Sequence, residues 1–311
     1  MSSPKHQGLT LGTVALLITP PLLWAGNAVV GRMMQGVVPP ITLNFLRWLL
    51  ALLLLLPVAG WVLRPGSPMW PHWRRFALLG LLGVGLYNAF QYMALKTSTP
   101  LNVTLVAAAT PIWMLILGRL FFGTRISFKA GLGAAFSLCG VATVLSRGSV
   151  DQLFQVKLVV GDAWMLAATL AWATYSWLLA RPPKDEPAAV KADWAAFLLA
   201  QIAMGLLWSG SMSAGEWVWI SQTSPAATHI VWGWPLAAAL VYVAVGPSLL
   251  AYRCWGEGVT RVGPTVAGFF SNLTPLFAAL FSAMLLGEMP QAFHAAGFAL
   301  IVTGIWVSSR R

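Results

Sequence analysis

The stretch Gly85–Val144 occurs twice in this chain, and no other feature narrows the possible folds as far. A gapless shift of 164 positions brings Pro100 onto Pro264, Thr110-Pro111 onto Thr274-Pro275, Gly123 onto Gly287, Gly133 onto Gly297 and Gly140 onto Gly304. Between these landmarks the side chains differ while the hydropathy profile repeats. Each copy runs through an apolar segment, a polar break, a segment carrying Thr-Pro, a Gly-containing break and a Gly-rich segment. Internal repetition is the trace of a duplicated architecture. Weak repetition inside apolar sequence is typical of membrane proteins built from two related halves.

Composition sets the solvent. The chain is 58% hydrophobic and 9% charged, where a soluble domain carries about 25% charged residues. So few charges cannot cover a water-facing surface, and the apolar runs reach the roughly 20 residues that span a bilayer as helix. An all-α polytopic membrane protein is expected. Ten spans are predicted at Leu9–Val30, Pro40–Leu63, Arg75–Leu95, Leu101–Phe122, Phe128–Ser146, Lys157–Ala180, Ala192–Ser213, Val231–Gly256, Pro264–Leu286 and Gln291–Val307. They divide into five spans in residues 1–150 and five in 151–311, with no soluble domain between them. The first run is long enough to stay as a span and carries no cleavable signal. Ala214–Ile230 reads as the longest aqueous segment, with a partial interfacial helix at Glu216–Trp219. Cys139 and Cys254 fall inside spans and imply neither a disulfide nor a metal.

A net charge of +11 would suggest nucleic acid in a soluble protein. Here the cations lie beside spans, and no nucleic-acid partner is implied. Thirteen of the 19 Lys and Arg fall on the side of the N-terminus and four on the other, with Arg47 and Arg253 within spans. That bias places both termini in the cytoplasm of a plasma (bacterial inner) membrane. Five spans per half is an odd number, so the second half enters the membrane in the opposite sense. The first spans of the halves also agree, Trp24-Ala25 matching Trp172-Ala173. The expected architecture is two inverted five-helix repeats around a central cavity, a design that supports alternating access.

Polar groups are costly in hydrocarbon, so their placement is informative. The third span carries Gly85, Asn88, Gln91 and Tyr92 on one helical face. In the eighth, Tyr252 stands at the position of Asn88 and Trp255 at that of Gln91. The fourth presents Thr104, Ala107, Ala108 and Pro111; the ninth presents Gly268, Ser271, Asn272 and Pro275 at matching positions. Small residues on such faces also serve helix packing, and amides also serve interhelical hydrogen bonds. Pro111 and Pro275 each remove a backbone donor and are candidate hinges. Trp24 and Asn27 lie one turn apart in the first span, while Trp164, Trp172 and Tyr175 populate the sixth. Trp113, Trp172 and Trp255 are deep; Trp61, Trp70, Trp73, Trp217, Trp219 and Trp232 suit an interfacial belt. The candidate substrate-binding set is Trp24, Asn27, Asn88, Gln91, Tyr92, Trp113, Trp164, Trp172, Tyr175, Tyr252, Ser271 and Asn272, aromatic and amide groups that together suit an amphipathic solute.

The eight acidic residues read as peripheral, and His294 sits near the end of the tenth span. A proton-coupled pump usually places a titratable group deep in the membrane, so facilitated diffusion is expected. Arg47 should reach interfacial polar groups. Arg253 should snorkel or pair with Glu257. A part in holding a carboxylate stays open for both. There is no zinc-hydrolase motif, nucleophile elbow, phosphate loop or Cys–His pattern. The chain is therefore not expected to be an enzyme or to hold a cofactor or metal, and a lipid-modifying enzyme or a bare scaffold fits less well than a carrier.

Pro40-x-x-x-x-Phe45-x-Arg47, Gln91-Tyr92-x-Ala94-Leu95, Ala109-Thr110-Pro111, Gly161-Asp162 and Leu286-Gly287-Glu288 follow one another in order. This pattern resembles the EamA-type families of the drug/metabolite transporter superfamily over essentially the whole chain, and within it the YddG-like amino-acid exporters of bacteria. One departure is Thr124, where that family usually has Glu after Gly123. The resemblance implies ten spans, cytoplasmic termini and export of small metabolites, most simply aromatic and other neutral amino acids. A nucleobase or a cationic compound is the alternative cargo. Besides the solute the only expected partner is membrane lipid, and a monomer suffices.

Overall fold

A computed structural model describes residues 9–98, 100–154, 157–223, 229–286 and 291–309. Gly287 and Glu288, which close the last family motif, lie outside them. Among the described residues ten helices are long and apolar enough to cross a membrane. They are α1 (Leu11–Gly31), α2 (Pro40–Leu63), α3 (Trp70–Thr97), α4 (Asn102–Phe121), α5 (Phe128–Leu145), α6 (Val160–Ala180), α7 (Trp194–Thr223), α8 (Trp234–Val262), α9 (Pro264–Phe281) and α10 (Ala292–Ser309). No strand occurs among the described residues.

One segment departs from expectation. The helix of α7 continues to Thr223 through the stretch predicted to be aqueous. Glu216 explains the difference. Its side chain is buried, and its carboxylate accepts from Ile41 N at 3.1 Å, Thr42 N at 2.8 Å and Thr42 Oγ1 at 2.9 Å. The first N–H groups of α2 have no partner within their own helix, and the helix dipole favours an anion there. An acidic residue thus becomes compatible with a long apolar helix by capping its neighbour.

Two compact units emerge, each drawing helices from both halves of the sequence. The first comprises residues 1–26, 94–181 and 254–311. In it α5 and α10 pack with almost no separation. A Cβ on Gly133 would lie 2.7 Å from Gly304 O, and one on Gly140 would lie 2.8 Å from Gly297 O. Numbering rises along one helix as it falls along the other, so the two run antiparallel. Gly133 corresponds to Gly297 and Gly140 to Gly304, so the two contacts are exchanged versions of one another.

Two spans of this unit are interrupted at matching places. In the first repeat, helix Pro100–Ala107 ends and a new one starts at Thr110. In the second, Pro264–Ser271 ends and a new one starts at Thr274. The cause is local. Pro111 and Pro275 lack an N–H, and their rings exclude the carbonyls four residues earlier, Ala107 and Ser271. The preceding threonine takes each orphaned carbonyl: Thr110 Oγ1 donates to Ala107 O at 2.6 Å and Thr274 Oγ1 to Ser271 O at 2.7 Å. The helix after the first break ends with Gly123 at φ 64°, which lets Thr124 N reach back to Gly118 O at 2.9 Å. The backbone of Thr124 thus secures the turn where the family's Glu is missing.

The second unit comprises residues 27–93 and 182–253. Here α3 and α7 approach closely: a Cβ on Gly80 would lie 2.6 Å from Gly205 N. Two segments, Gly80–Leu86 in α3 and Ala244–Leu250 in α8, are wound more widely than an α-helix. In each, the following N–H reaches five residues back, Tyr87 to Leu82 O and Ala251 to Gly246 O. Gly80 and Ala244 differ by the repeat shift, as do Leu86 and Leu250, so the wide turn recurs at the same place in both copies. Wide turns of this kind free backbone carbonyls and are frequent at functional positions.

Candidate substrate-binding residues

Along α2 the buried residues Leu43, Asn44, Arg47, Trp48, Ala51 and Leu55 share one helical face. Arg47 is therefore turned inwards and is only 1% exposed. The expectation that it reaches interfacial polar groups is corrected by its partners. Nε donates to Ser248 Oγ at 3.1 Å, and Nη1 donates to Asn27 Oδ1 at 3.3 Å and Asn88 Oδ1 at 3.4 Å. The guanidinium also lies 5.0 Å from the Trp48 ring centroid, in cation–π range.

The wide turns supply much of this cluster. Ser248 belongs to the second of them, and its hydroxyl donates on to Val243 O at 2.8 Å. In the first, Gly83 O accepts from the Tyr252 hydroxyl and Val84 O accepts from Asn44 Nδ2 at 3.2 Å. Tyr252 packs edge-on against Trp48, centroids 4.9 Å apart, and its hydroxyl lies beside the Asn88 side chain. Asn27, Asn88 and Tyr252, singled out in the sequence, thus meet around a cation. Tyr92 is buried near Gly31. Gln91 is half-buried.

The first unit holds an aromatic cluster. Trp24 lies 5.2 Å from Trp172, edge to face, and 5.5 Å from Trp255. Trp172 lies 5.4 Å from Trp255 and 5.1 Å from Tyr175. Trp255 Nε1 donates to Ser176 Oγ at 3.1 Å, which fixes its ring. Trp24 is half-buried while the other three rings are buried. Trp164 is 37% exposed.

The helix breaks form a third group. Asn272 Nδ2 donates to Ser137 Oγ at 2.8 Å and to Ala108 O at 3.3 Å. Its amide therefore makes an interhelical bond, one of the two roles open to it from sequence. The Ser271 hydroxyl and the Trp113 indole N–H, both buried, have no hydrogen-bond partner among the described residues. Gly85 and Gly268 serve close packing, against Trp208 and against Met114 with Pro111. A separate apolar cavity of about 230 Å³ between α9 and α10, walled by Phe277, Leu280, His294 and Phe298, touches none of the expected residues.

Arg253, on α8, is the second cation that the sequence placed within a span. Its guanidinium lies 4.4 Å from the Trp194 ring centroid. Of its two expected fates, snorkelling or pairing with Glu257, the exposed Arg253 does not take the second, for Glu257 is bound by Arg261 one turn away, with Nη2 at 2.8 Å. Ser248, Ser137 and Ser176 escaped the sequence reading because a serine in an apolar run looks like packing. The repeat shift offered one signal, since it sets Ser248 on the buried Val84 of the first wide turn.

The model of the EamA-like transporter family matches residues 11–146 and 159–310. A transporter of unknown role from Archaeoglobus fulgidus is 27% identical over 96% of this chain and 98% of its own. A "probable amino-acid metabolite efflux pump" of Salmonella typhimurium is 27% identical, covering 96% and 94%. The aromatic amino acid exporter YddG of Ancylobacter novellus is 26% identical over 93% of each chain. A solved crystal structure with 22% identity shares the fold, with a TM-score of 0.69 over 95% of each chain. With the family model covering both repeats, this multi-pass membrane protein belongs to the EamA-like transporter family.

Proposed function

We propose that this transporter exports neutral amino acids, aromatic ones foremost, across a bacterial inner membrane. The observation that carries this reading is the cluster of Trp24, Trp172, Trp255 and Tyr175, with ring centroids 5.1–5.5 Å apart. Such a cluster gives an aromatic side chain flat and edge-on surfaces to pack against. The names of two relatives, an amino-acid metabolite efflux pump and an aromatic amino acid exporter, point the same way.

Residues 1–150 and 151–311 act as two repeats inserted in opposite senses, with both termini cytoplasmic and the solute passing between them by alternating access. The reciprocal antiparallel contact of α5 with α10 supports this arrangement. Pro111 and Pro275, at the two helix breaks, serve as hinges. A single chain suffices for transport, with lipid as its surroundings.

Flux runs down the solute gradient. The acidic residues within the spans already have partners: Asp162 accepts from Ser98 and Asn102, Glu216 caps α2, and Glu257 holds Arg261. Efflux of radiolabelled Trp, Phe, Thr and Met from proteoliposomes tests the proposal. Trp and Phe should leave fastest, while a labelled nucleobase and a cationic drug should be retained. A pH gradient alone, with equal solute on both sides, should drive no net flux. Retention of all four amino acids would move the cargo to another metabolite class.

A further inference from the structure

Arg47 carries a permanent charge in a buried setting, and among the described residues its hydrogen-bond partners are neutral. Its three hydrogen-bond acceptors are the Ser248 hydroxyl and the amide oxygens of Asn27 and Asn88. Among the described residues the ion pairs are His72–Asp185, Arg75–Glu186, Lys191–Glu186 and Arg261–Glu257, so no carboxylate neutralises Arg47. A buried charge lacking a counter-charge is costly, and a sequence this poor in charge has little reason to retain one for packing alone.

The bond lengths are informative. Charge-assisted bonds from a guanidinium to a carboxylate run about 2.7–2.9 Å, whereas the two amide contacts here are 3.3 and 3.4 Å. Nη2 takes part in none of the three bonds. The amides thus orient the guanidinium loosely and leave one terminal nitrogen uncommitted. A planar guanidinium fork accepts the two oxygens of a carboxylate side by side. Tyr87 and Tyr252 lie within electrostatic range of Arg47, so phenol groups join the amides around the guanidinium.

We infer that Arg47 anchors the carboxylate of the transported solute. One carboxylate oxygen takes Nη2 and the other takes Nη1 in place of the loose amide contacts. The freed Oδ1 atoms of Asn27 and Asn88 then accept from the solute's ammonium group. Ser248 keeps its bond to Nε and fixes the plane of the fork. The site selects a zwitterion, matching the anion to a fixed charge and the cation to neutral acceptors. This inference rests on the amino-acid reading above and adds the group that recognises the backbone of the cargo.

The test compares phenylalanine with phenylalaninamide, which keeps the ring and the amine but lacks the carboxylate. In proteoliposomes of the full-length protein, Phe flux should exceed that of the amide by about tenfold, as expected for loss of a bidentate charge-assisted pair. Arg47→Gln should bring the two fluxes within about twofold of each other, and Arg47→Lys should restore part of the difference. Equal fluxes in the wild type would overturn the inference, as would an Arg47→Gln variant that keeps the wild-type ratio. Should Arg47→Gln fail to elute as a folded species, the wild-type ratio decides alone. Should the wild type carry no amino acid, the amino-acid reading falls on its own, and melting temperature decides the anchor. Phenylacetate should then raise it in the wild type while phenylacetamide leaves it unchanged; equal shifts, or none, overturn the anchor.

Discussion

Asn272 donates its side-chain amide to the carbonyl of Ala108 at 3.3 Å, and the two residues are 164 positions apart, the shift that superposes the repeats. When two copies of a motif pack about a local two-fold axis, only residues near the axis meet their own counterparts. Asn88 and Tyr252, lying side by side in the other unit, are separated by the same shift. Each pair is chemically unequal, an amide against an alanine carbonyl and an amide against a phenol. Both pairs join positions that the repeat shift superposes, and in both the two side chains differ.

Asn272→Ala should destabilise the protein by about 1–3 kcal/mol, because Ser137 Oγ and Ala108 O then lose their donor inside the packed helices. Thermal unfolding in detergent reads the loss. Asn272→Ser should lose part of it if its shorter hydroxyl still reaches Ser137. A melting temperature unchanged by both substitutions would show that the two bonds carry no net stability.

The glycine seam between α5 and α10 makes a symmetric prediction. A methyl at Gly133 or at Gly140 meets a backbone carbonyl of α10, which cannot move aside as a flexible side chain would. Gly133→Ala and Gly140→Ala should each cost about 1–3 kcal/mol by overpacking. Their counterparts Gly297→Ala and Gly304→Ala should behave alike. Because all four act on one seam, the double variant Gly140→Ala/Gly297→Ala should fall short of the sum of its singles, which a comparison of unfolding midpoints checks.

Pro111→Ala and Pro275→Ala should slow transport without loss of folded protein. Alanine restores the missing N–H and removes the ring that excludes the carbonyl of Ala107 or Ser271, so the helix can run through the break. Thr110→Val in the same break tests the complementary half, since Ala107 O then loses the hydroxyl that satisfies it. Initial efflux rates and melting temperatures, measured together, separate a stiffened hinge from a damaged fold. Wild-type rates in both proline variants would return these residues to a purely structural role.

Truncation within the aromatic cluster should discriminate among solutes. Trp24 is the half-buried ring of the four, so Trp24→Ala should lower Phe and Trp efflux several-fold while sparing Thr. Trp172 is 2% exposed, and Trp172→Ala should cost about 3–5 kcal/mol through the cavity it leaves. Trp172→Phe keeps most of the volume and serves as the control. Equal loss of Phe and Thr flux in Trp24→Ala would count against stacking as the source of selectivity.

The primary sequence determined the solvent, the number of crossings and the duplication, because those depend on length, hydropathy and spacing, which are local along the chain. It also located Pro111, Pro275, Asn88, Tyr252 and Asn272 as matched positions, since a shift of the chain against itself needs no coordinates. The tertiary structure decided which polar groups meet. Nothing in the run around Arg47 reveals that Asn27, Asn88 and Ser248 converge on it, for those partners lie on three other helices. Likewise, Glu216 reads as an aqueous residue until the start of α2, some 175 residues away in sequence, is brought against it. The cost of a charge in an apolar chain depends on its partners in space, and only the fold supplies them.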